Sequence, residues 1–249
     1  HGTHVAGIIS SSADNNVGIA GVSYDSGFAA IRAIECTATQ DIAAALNHQS
    51  SNIDIYSNSW GYTDLFSTPS SVSSILSTNT ENGRGGHGHL YIVSAGNCRE
   101  YVSPNYCSIP AGSSDSFLIG SRYTLTIGAY DSNGDSASFS QMGPNILVSA
   151  PGVEIHSTDI SGYVNMDGTS MAAPIVSGVV ALMLDVNSNL GWRDVQHILI
   201  QSARKINPTD TMWDTNGAGY EYNDQYGFGA VDAHKAVTLA RNWTNVEEE

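Results

Sequence analysis

Basic residues are scarce in this chain of 249 residues: nine Lys and Arg stand against 24 Asp and Glu, a formal net charge of −15. A nucleic-acid interface needs clustered Lys and Arg to meet phosphates, so no nucleic-acid partner is expected. An acidic field instead draws in cations and basic substrates. Cysteine is scarce too, at three residues. Disulfides are therefore not the main support of the fold. Cys98 and Cys107 are spaced to close one small loop, which would leave Cys36 over. No apolar run approaches the about 18 residues of a membrane span. The longest covers 176–186, so no transmembrane segment is expected. There is no initiator Met and no leader, and the chain opens inside a motif. It reads as a processed or truncated segment of a longer protein.

What is present suits a compact enzyme. Hydrophobic residues make up 41%, charged residues 13%, and there are 25 Gly. That supports one large domain over 1–249 with a sizeable core. Apolar, β-rich runs at 28–35, 53–59, 90–95, 125–129 and 146–150 read as strands. Helical patterns fall at 2–12, 41–49, 69–82, 169–186, 192–202 and 233–242. Strands that are apolar throughout and alternate with helices predict a mainly parallel sheet buried on both faces, a three-layer α/β/α sandwich.

Three segments carry candidate chemistry. In Gly168-Thr169-Ser170-Met171-Ala172-Ala173-Pro174, Ser170 stands at the start of a helix, where the positive end of the helix dipole favours a developing anion. A Ser there is also an ordinary helix cap. The spacing differs from Gly-x-Ser-x-Gly, which excludes an α/β-hydrolase elbow. In His1-Gly2-Thr3-His4-Val5-Ala6-Gly7, His1 begins an amphipathic helix and is suited to proton transfer near neutral pH. In Leu90-Tyr91-Ile92-Val93-Ser94-Ala95-Gly96-Asn97, a buried strand ends in an amide, Asn97, able to donate to an oxyanion. Each segment taken singly has a bland explanation. Their coexistence points to an acyl-transfer site with His1 as base, Ser170 as nucleophile and Asn97 as oxyanion donor.

The His and Ser segments resemble the subtilase family of serine proteases. Ile55-Tyr56-Ser57-Asn58-Ser59-Trp60-Gly61, Gly83-Arg84-Gly85-Gly86, 189–197, 226–233 and 240–244 are similar to its kexin/furin-like proprotein-processing branch. The resemblance implies a subtilisin-like fold and a serine endopeptidase working through an acyl-enzyme on polypeptide substrates. It further implies a secretory location, a propeptide and a following β-rich domain in the parent protein. The Asp that orients the His lies ahead of the His motif in this family, outside the chain. Losing such an Asp costs about 10⁴ in kcat, so the segment alone is expected to be inactive. The absent segment would also supply a central strand. A non-catalytic, peptide-binding relative is the alternative of a different class.

The same resemblance places Ser59, Trp60 and Gly61 against the substrate backbone, an added-strand mode of recognition. It sets Asp64 opposite a basic P1 side chain and Glu35 near a second basic residue. Ser108, Ala43, Ala44 and Gln141 depart from the branch, where acidic residues are usual. A basic P1 with a weakened polybasic requirement is the reading implied, and a broad-specificity subtilisin the runner-up. Residues 12–22 resemble the family's structural calcium loop. There the carbonyls of Ser12, Val17 and Ile19 and the side chain of Asn15 would hold Ca²⁺, a cation suited to oxygen ligands. His87 and His89 sit two apart in a Gly-rich loop and do not suggest zinc.

Overall fold

The computed structural model describes residues 1–33, 39–61, 67–100 and 117–245. Four strands form one sheet in the order β1 (Ile55–Asn58), β2 (Leu90–Ser94), β3 (Thr124–Tyr130), β4 (Ile146–Pro151), and every adjacent pair is parallel. Parallel sheets need both faces covered, and the burial of β2 shows how. All five of its residues are buried, with Leu90 and Ile92 packed on one side and Tyr91 and Val93 on the other. The first side is closed by α4 (Thr169–Val186), α5 (Trp192–Ser202) and α6 (Ala233–Arg241). The second is closed by α2 (Thr39–Leu46) and α3 (Ser70–Gly86) through Ile42, Leu46, Val72 and Leu76. The result is the three-layer α/β/α sandwich expected.

Two elements stand apart from that sandwich. Helix α1 (Gly2–Ser10) lies beside α4, and an antiparallel hairpin of β5 (Ile155–Asp159) and β6 (Gly162–Met166) packs on α1. The hairpin went unread in the sequence. Its strands on either side of Ser161 have five residues each and its outer face is solvent-exposed, so the apolar signal is weak. A further short pair, β7 (Asp214–Thr215) and β8 (Glu221–Tyr222), was also missed.

One expected strand is corrected. Within 28–35 the described residues 28–33 are irregular, and Phe28 is exposed. A parallel strand exists only through a neighbour that takes its hydrogen bonds. Among the described residues β1 ends the sheet on that side. The helix expected at 69–82 runs into a break, because Gly83, Arg84 and Gly85 leave helical geometry. Arg84 holds the break in place, giving N–H groups to Asp54 and to the carbonyls of Gly88, Ser188 and Leu190.

By length and composition α4 could cross a membrane, but it is the core helix, buried through Met171, Ala172, Ala173, Val176, Val179, Val180 and Met183. Its small residues admit close neighbours. A Cβ added at Gly178 would stand 2.6 Å from Cβ of Val22. Gly→Ala inside an exposed helix gains about 1 kcal/mol. Here Gly178→Ala should reverse that sign and destabilise by about 1–3 kcal/mol, since overpacking dominates. Urea unfolding of the two chains measures it, and a stabilised variant would contradict the packing described.

Candidate active site

The site gathers at the amino end of α4, beside the carboxyl ends of β1 and β2. Gly168 introduces the helix at φ +148 and ψ 155, a backbone conformation that a side chain would strain. Its N–H donates to the Gly152 carbonyl at 2.8 Å, and Asp167 accepts the Glu154 N–H at 2.6 Å. These bonds fix the approach to the helix before it begins.

Thr169, fully buried, then locks the helix to the end of β2. Its N–H and its hydroxyl both donate to Asn97 Oδ1, each at 2.9 Å, and its Oγ1 accepts the Gly96 N–H at 3.1 Å. Two donors on one amide oxygen decide which way the Asn97 amide faces. Nδ2 is left as the outward donor. A Cβ built on Gly168 would lie 3.4 Å from that Nδ2 and 3.6 Å from the Ser170 nitrogen. The Ser170 N–H belongs to the first helical turn, which has no intrahelical acceptor. Both nitrogens therefore lie close to Gly168, at the start of the helix.

Pro174 explains the next contact. It has no N–H for the Ser170 carbonyl four residues back. Ser59 supplies the missing donor, its hydroxyl giving to Ser170 O at 2.8 Å, while Ser170 Oγ gives to Ser59 O at 3.3 Å. Ser59 is thus bound reciprocally to Ser170, and it hangs from the end of β1. Trp60 is half-buried and donates through Nε1 to Asn58 Oδ1 at 3.2 Å, and Gly61 is exposed. Asp64 and Glu35 lie outside the described residues.

His1 caps α1 and is exposed. Helix α1 reaches α4 through Val22, whose N–H donates to Ile8 O and whose side chain meets Gly178. Gly178 is eight residues beyond Ser170, about 12 Å along the helix, and Ile8 is a similar distance beyond His1. The amino end of α1 also rests on the β5–β6 hairpin, which runs directly into Gly168. Helix α1 is thereby tied both to α4 and to the hairpin that precedes it. Ser170 Oγ spends its hydrogen on Ser59 rather than on His1, whose ring makes no hydrogen bond among the described residues. Such bonds often tighten only with substrate in place.

Sequence reasoning missed Thr169 as a clasp, although the Thr preceding Ser in the motif was its signal. It also missed Arg99. That guanidinium gives to the carbonyls of Ser138 and Ala137, to Ser136 Oγ and to Gln225 Oε1, anchoring the segment just after Asn97. Burial pulls the Arg99 pKa down from its ordinary value, with Glu100, Tyr226 and Asp210 pulling the other way. Cys98 is disulfide-bonded, and Cys107 lies outside the described residues.

The loop after α1 bears on the calcium expectation. Asp14, Asn16 and Gly18 all take left-handed backbone, at φ 56, 58 and 59. Ser12, Asn15 and Val17 are exposed and Ile19 is half-buried. Asn15 Oδ1 accepts the Val17 N–H at 2.9 Å and keeps a second lone pair. The set is all oxygen, which fits a hard cation. Among the described residues no group of three or more His, Cys, Asp or Glu is placed to hold a metal.

Comparison with known proteins agrees with this geometry. The subtilase family model matches residues 1–229, and the chain belongs to that family. Neuroendocrine convertase 2 of Mus musculus is 33% identical over 266 residues, spanning all of this chain and 40% of the relative. Kexin of Candida albicans is 35% identical over 262 residues, spanning all of this chain and 27% of the relative. This chain thus matches well under half the length of these relatives. Among solved structures, a serine protease of Aeromonas sobria matches with a TM-score of 0.87 at 22% identity, covering 99% of this chain and 54% of that one. Fervidolysin of Fervidobacterium pennivorans, a keratinolytic enzyme related to subtilisin, matches with a TM-score of 0.74 at 25% identity, covering 94% and 35%.

Thr169→Val should leave the Gly96 N–H without its acceptor and Asn97 Oδ1 with one donor, the residue-169 N–H, in place of two. A buried donor without a partner costs about 1–3 kcal/mol. Thr169→Ser keeps both bonds and should lose less. Denaturant midpoints of the two variants separate the hydrogen-bond loss from the lost methyl, and equal losses would refute the clasp.

Proposed function

We propose that this chain is the core of a serine endopeptidase catalytic domain, and that His1, Ser170 and Asn97 carry its chemistry. The observation that supports the reading is that Thr169 gives both its N–H and its hydroxyl to Asn97 Oδ1, which holds the Asn97 amide beside Gly168 at the start of the helix that carries Ser170. In the mechanism, His1 takes the Ser170 proton as Oγ attacks a peptide carbonyl. The Asn97 amide and the Ser170 N–H hold the resulting oxyanion. His1 then protonates the leaving amine, and water releases the acyl group by the reverse sequence. In the protein that contains this chain, Ser170→Ala should lower kcat by about 10⁶. Asn97→Ala should lower it by about 10²–10³ at little changed KM. Turnover that survives Ser170→Ala would refute the assignment.

For substrate, cleavage after basic residues is the preferred reading. It is supported by kinship with convertases and kexin, by the acidic charge of the chain, and by Asp64 and Glu35 in the sequence. Ser59, Trp60 and Gly61 would pair with the substrate backbone. The departures at Ser108, Ala43 and Ala44 favour a relaxed demand at subsites beyond P1. Peptides ending in Lys-Arg, single Arg, and Phe or Leu at P1 distinguish this from a broad-specificity enzyme, and faster cleavage after Phe or Leu would exclude the basic pocket. The same kinship supports a propeptide, a following β-rich domain and passage through the secretory pathway.

Calcium is proposed as a structural ligand of the 12–19 loop, held by the carbonyls of Ser12, Val17 and Ile19 and the Asn15 amide oxygen. It would supply rigidity, not a reacting group. A chelator should lower Tm, and added Ca²⁺ should restore it; a ligand present at 100 times its Kd adds about 2.7 kcal/mol. Asn15→Ala should blunt that response, and a Tm indifferent to both treatments would remove calcium from the reading.

A further inference from the structure

His1 and Ser170 sit on separate helices, and something must hold those helices in register. We propose that His4 is a positioning residue: its imidazole rivets the first turn of α1 to both strands of the β5–β6 hairpin, and through that hairpin sets where His1 stands relative to Ser170. The proposal rests on the roles given above to His1 and Ser170.

His4 is fully buried. Its Nε2 lies 3.0 Å from the Ile155 carbonyl and 3.1 Å from the Val164 carbonyl. Carbonyls only accept, so Nε2 carries the hydrogen and shares it between them. One acceptor belongs to β5 and the other to β6, so a single N–H grips both strands. The other ring nitrogen, Nδ1, is buried with no hydrogen-bond partner. Burying an unpaired polar atom is unfavourable. An apolar side chain would fill the space without that cost, so packing alone does not account for an imidazole here.

Companion bonds point the same way. Ser157 Oγ donates to the His4 carbonyl and Thr158 Oγ1 to the Thr3 carbonyl, each at 2.8 Å. Gly7 makes the approach feasible, because a Cβ there would stand 2.5 Å from Ser157 Oγ and run into Thr158 as well. The path onward is short. His1 is one helical turn before His4, so a displacement at His4 reaches His1 with little attenuation. At the other end β6 finishes at Met166, two residues before Gly168, and that segment is held by the Asp167 and Gly168 bonds. A misplacement of about 1 Å between reacting groups can cost about 10² in rate.

The test uses the full-length protein, with kcat, KM and Tm measured on His4→Leu and His4→Gln. It adds the rate at which a small sulfonyl fluoride modifies Ser170, normalised to active sites. His4→Leu keeps the bulk and loses the donor. It should lower kcat about 10–100-fold with KM within about twofold, and slow sulfonylation by the same factor. His4→Gln, whose amide N–H reaches the place of Nε2, should recover most of both rates. An unchanged kcat per active site with only a lowered Tm would overturn the proposal and leave His4 an ordinary core residue. Should His4→Leu fail to fold, Ser157→Ala removes a companion bond instead. Several-fold lower kcat at unchanged KM supports the rivet, and unchanged kcat overturns it. Activity that survives Ser170→Ala would refute the assigned chemistry itself, a different failure from that of the rivet.

Discussion

The arrangement depends on how the amino end of α4 is held, and Thr169 does most of the holding. Three hydrogen bonds meet at this residue and Asn97, between a buried Thr169 and half-buried partners. In that setting each bond is stronger than it would be at the surface, and an unmade one is correspondingly costly. The clasp joins the end of β2 to the start of the helix that fills the core. One interaction therefore fixes the end of β2, the amide of Asn97 and the start of the helix at Ser170. Movement in any one would misplace the other two.

Pro174 adds a second constraint of the same kind. A proline inside a helix ordinarily weakens it by removing a donor and crowding the carbonyl one turn back. Here the abandoned carbonyl belongs to Ser170, and Ser59 takes it from outside the helix. The defect becomes a bond between α4 and the end of β1. Ser170 is then tied on one side to β2 through the neighbouring Thr169 and on the other to β1 through Ser59. Rigid elements on both sides leave the Ser170 side chain little room for displacement.

The sandwich was legible in the sequence where patterns were long. Helix α4 was located to the residue, because 18 residues of small and branched apolar side chains leave no ambiguity of type. The strands β2, β3 and β4 were legible from apolar runs bounded by turns. The run at 28–35 misled because it has strand composition while strandedness belongs to a pair of chains, and β1 ends the described sheet there. The β5–β6 hairpin was invisible for the opposite reason: one of its faces meets α1 and the other water, so its apolar signal is thin. At the site, Ser170, His1 and Asn97 were legible as motif members. The Thr169 clasp, the Arg99 anchor and the Ser59–Ser170 pair were not, since each joins residues dozens of positions apart.

Helix α1 shows why the unread part matters. It has nine residues, and isolated helices shorter than about 12–15 residues are marginal in water. Its N-cap is His1, which makes no capping bond, and its first turn carries no acidic residue to complement the dipole. Within the helix, the first turn is closed by the Val5 N–H to the His1 carbonyl at 3.0 Å, but nothing there fixes the helix's position. That order must come from outside, and the contacts that supply it are the carbonyl bonds from Ser157 and Thr158, the shared N–H of His4 and the bonds from Val22 and Ser23 to the last turn. A side chain carried on so weak an element, as His1 is, is accurately placed only while its surroundings are. The hairpin, peripheral to the sandwich and silent in the sequence, therefore bears on where His1 stands as much as the sheet bears on where α4 and Ser170 stand.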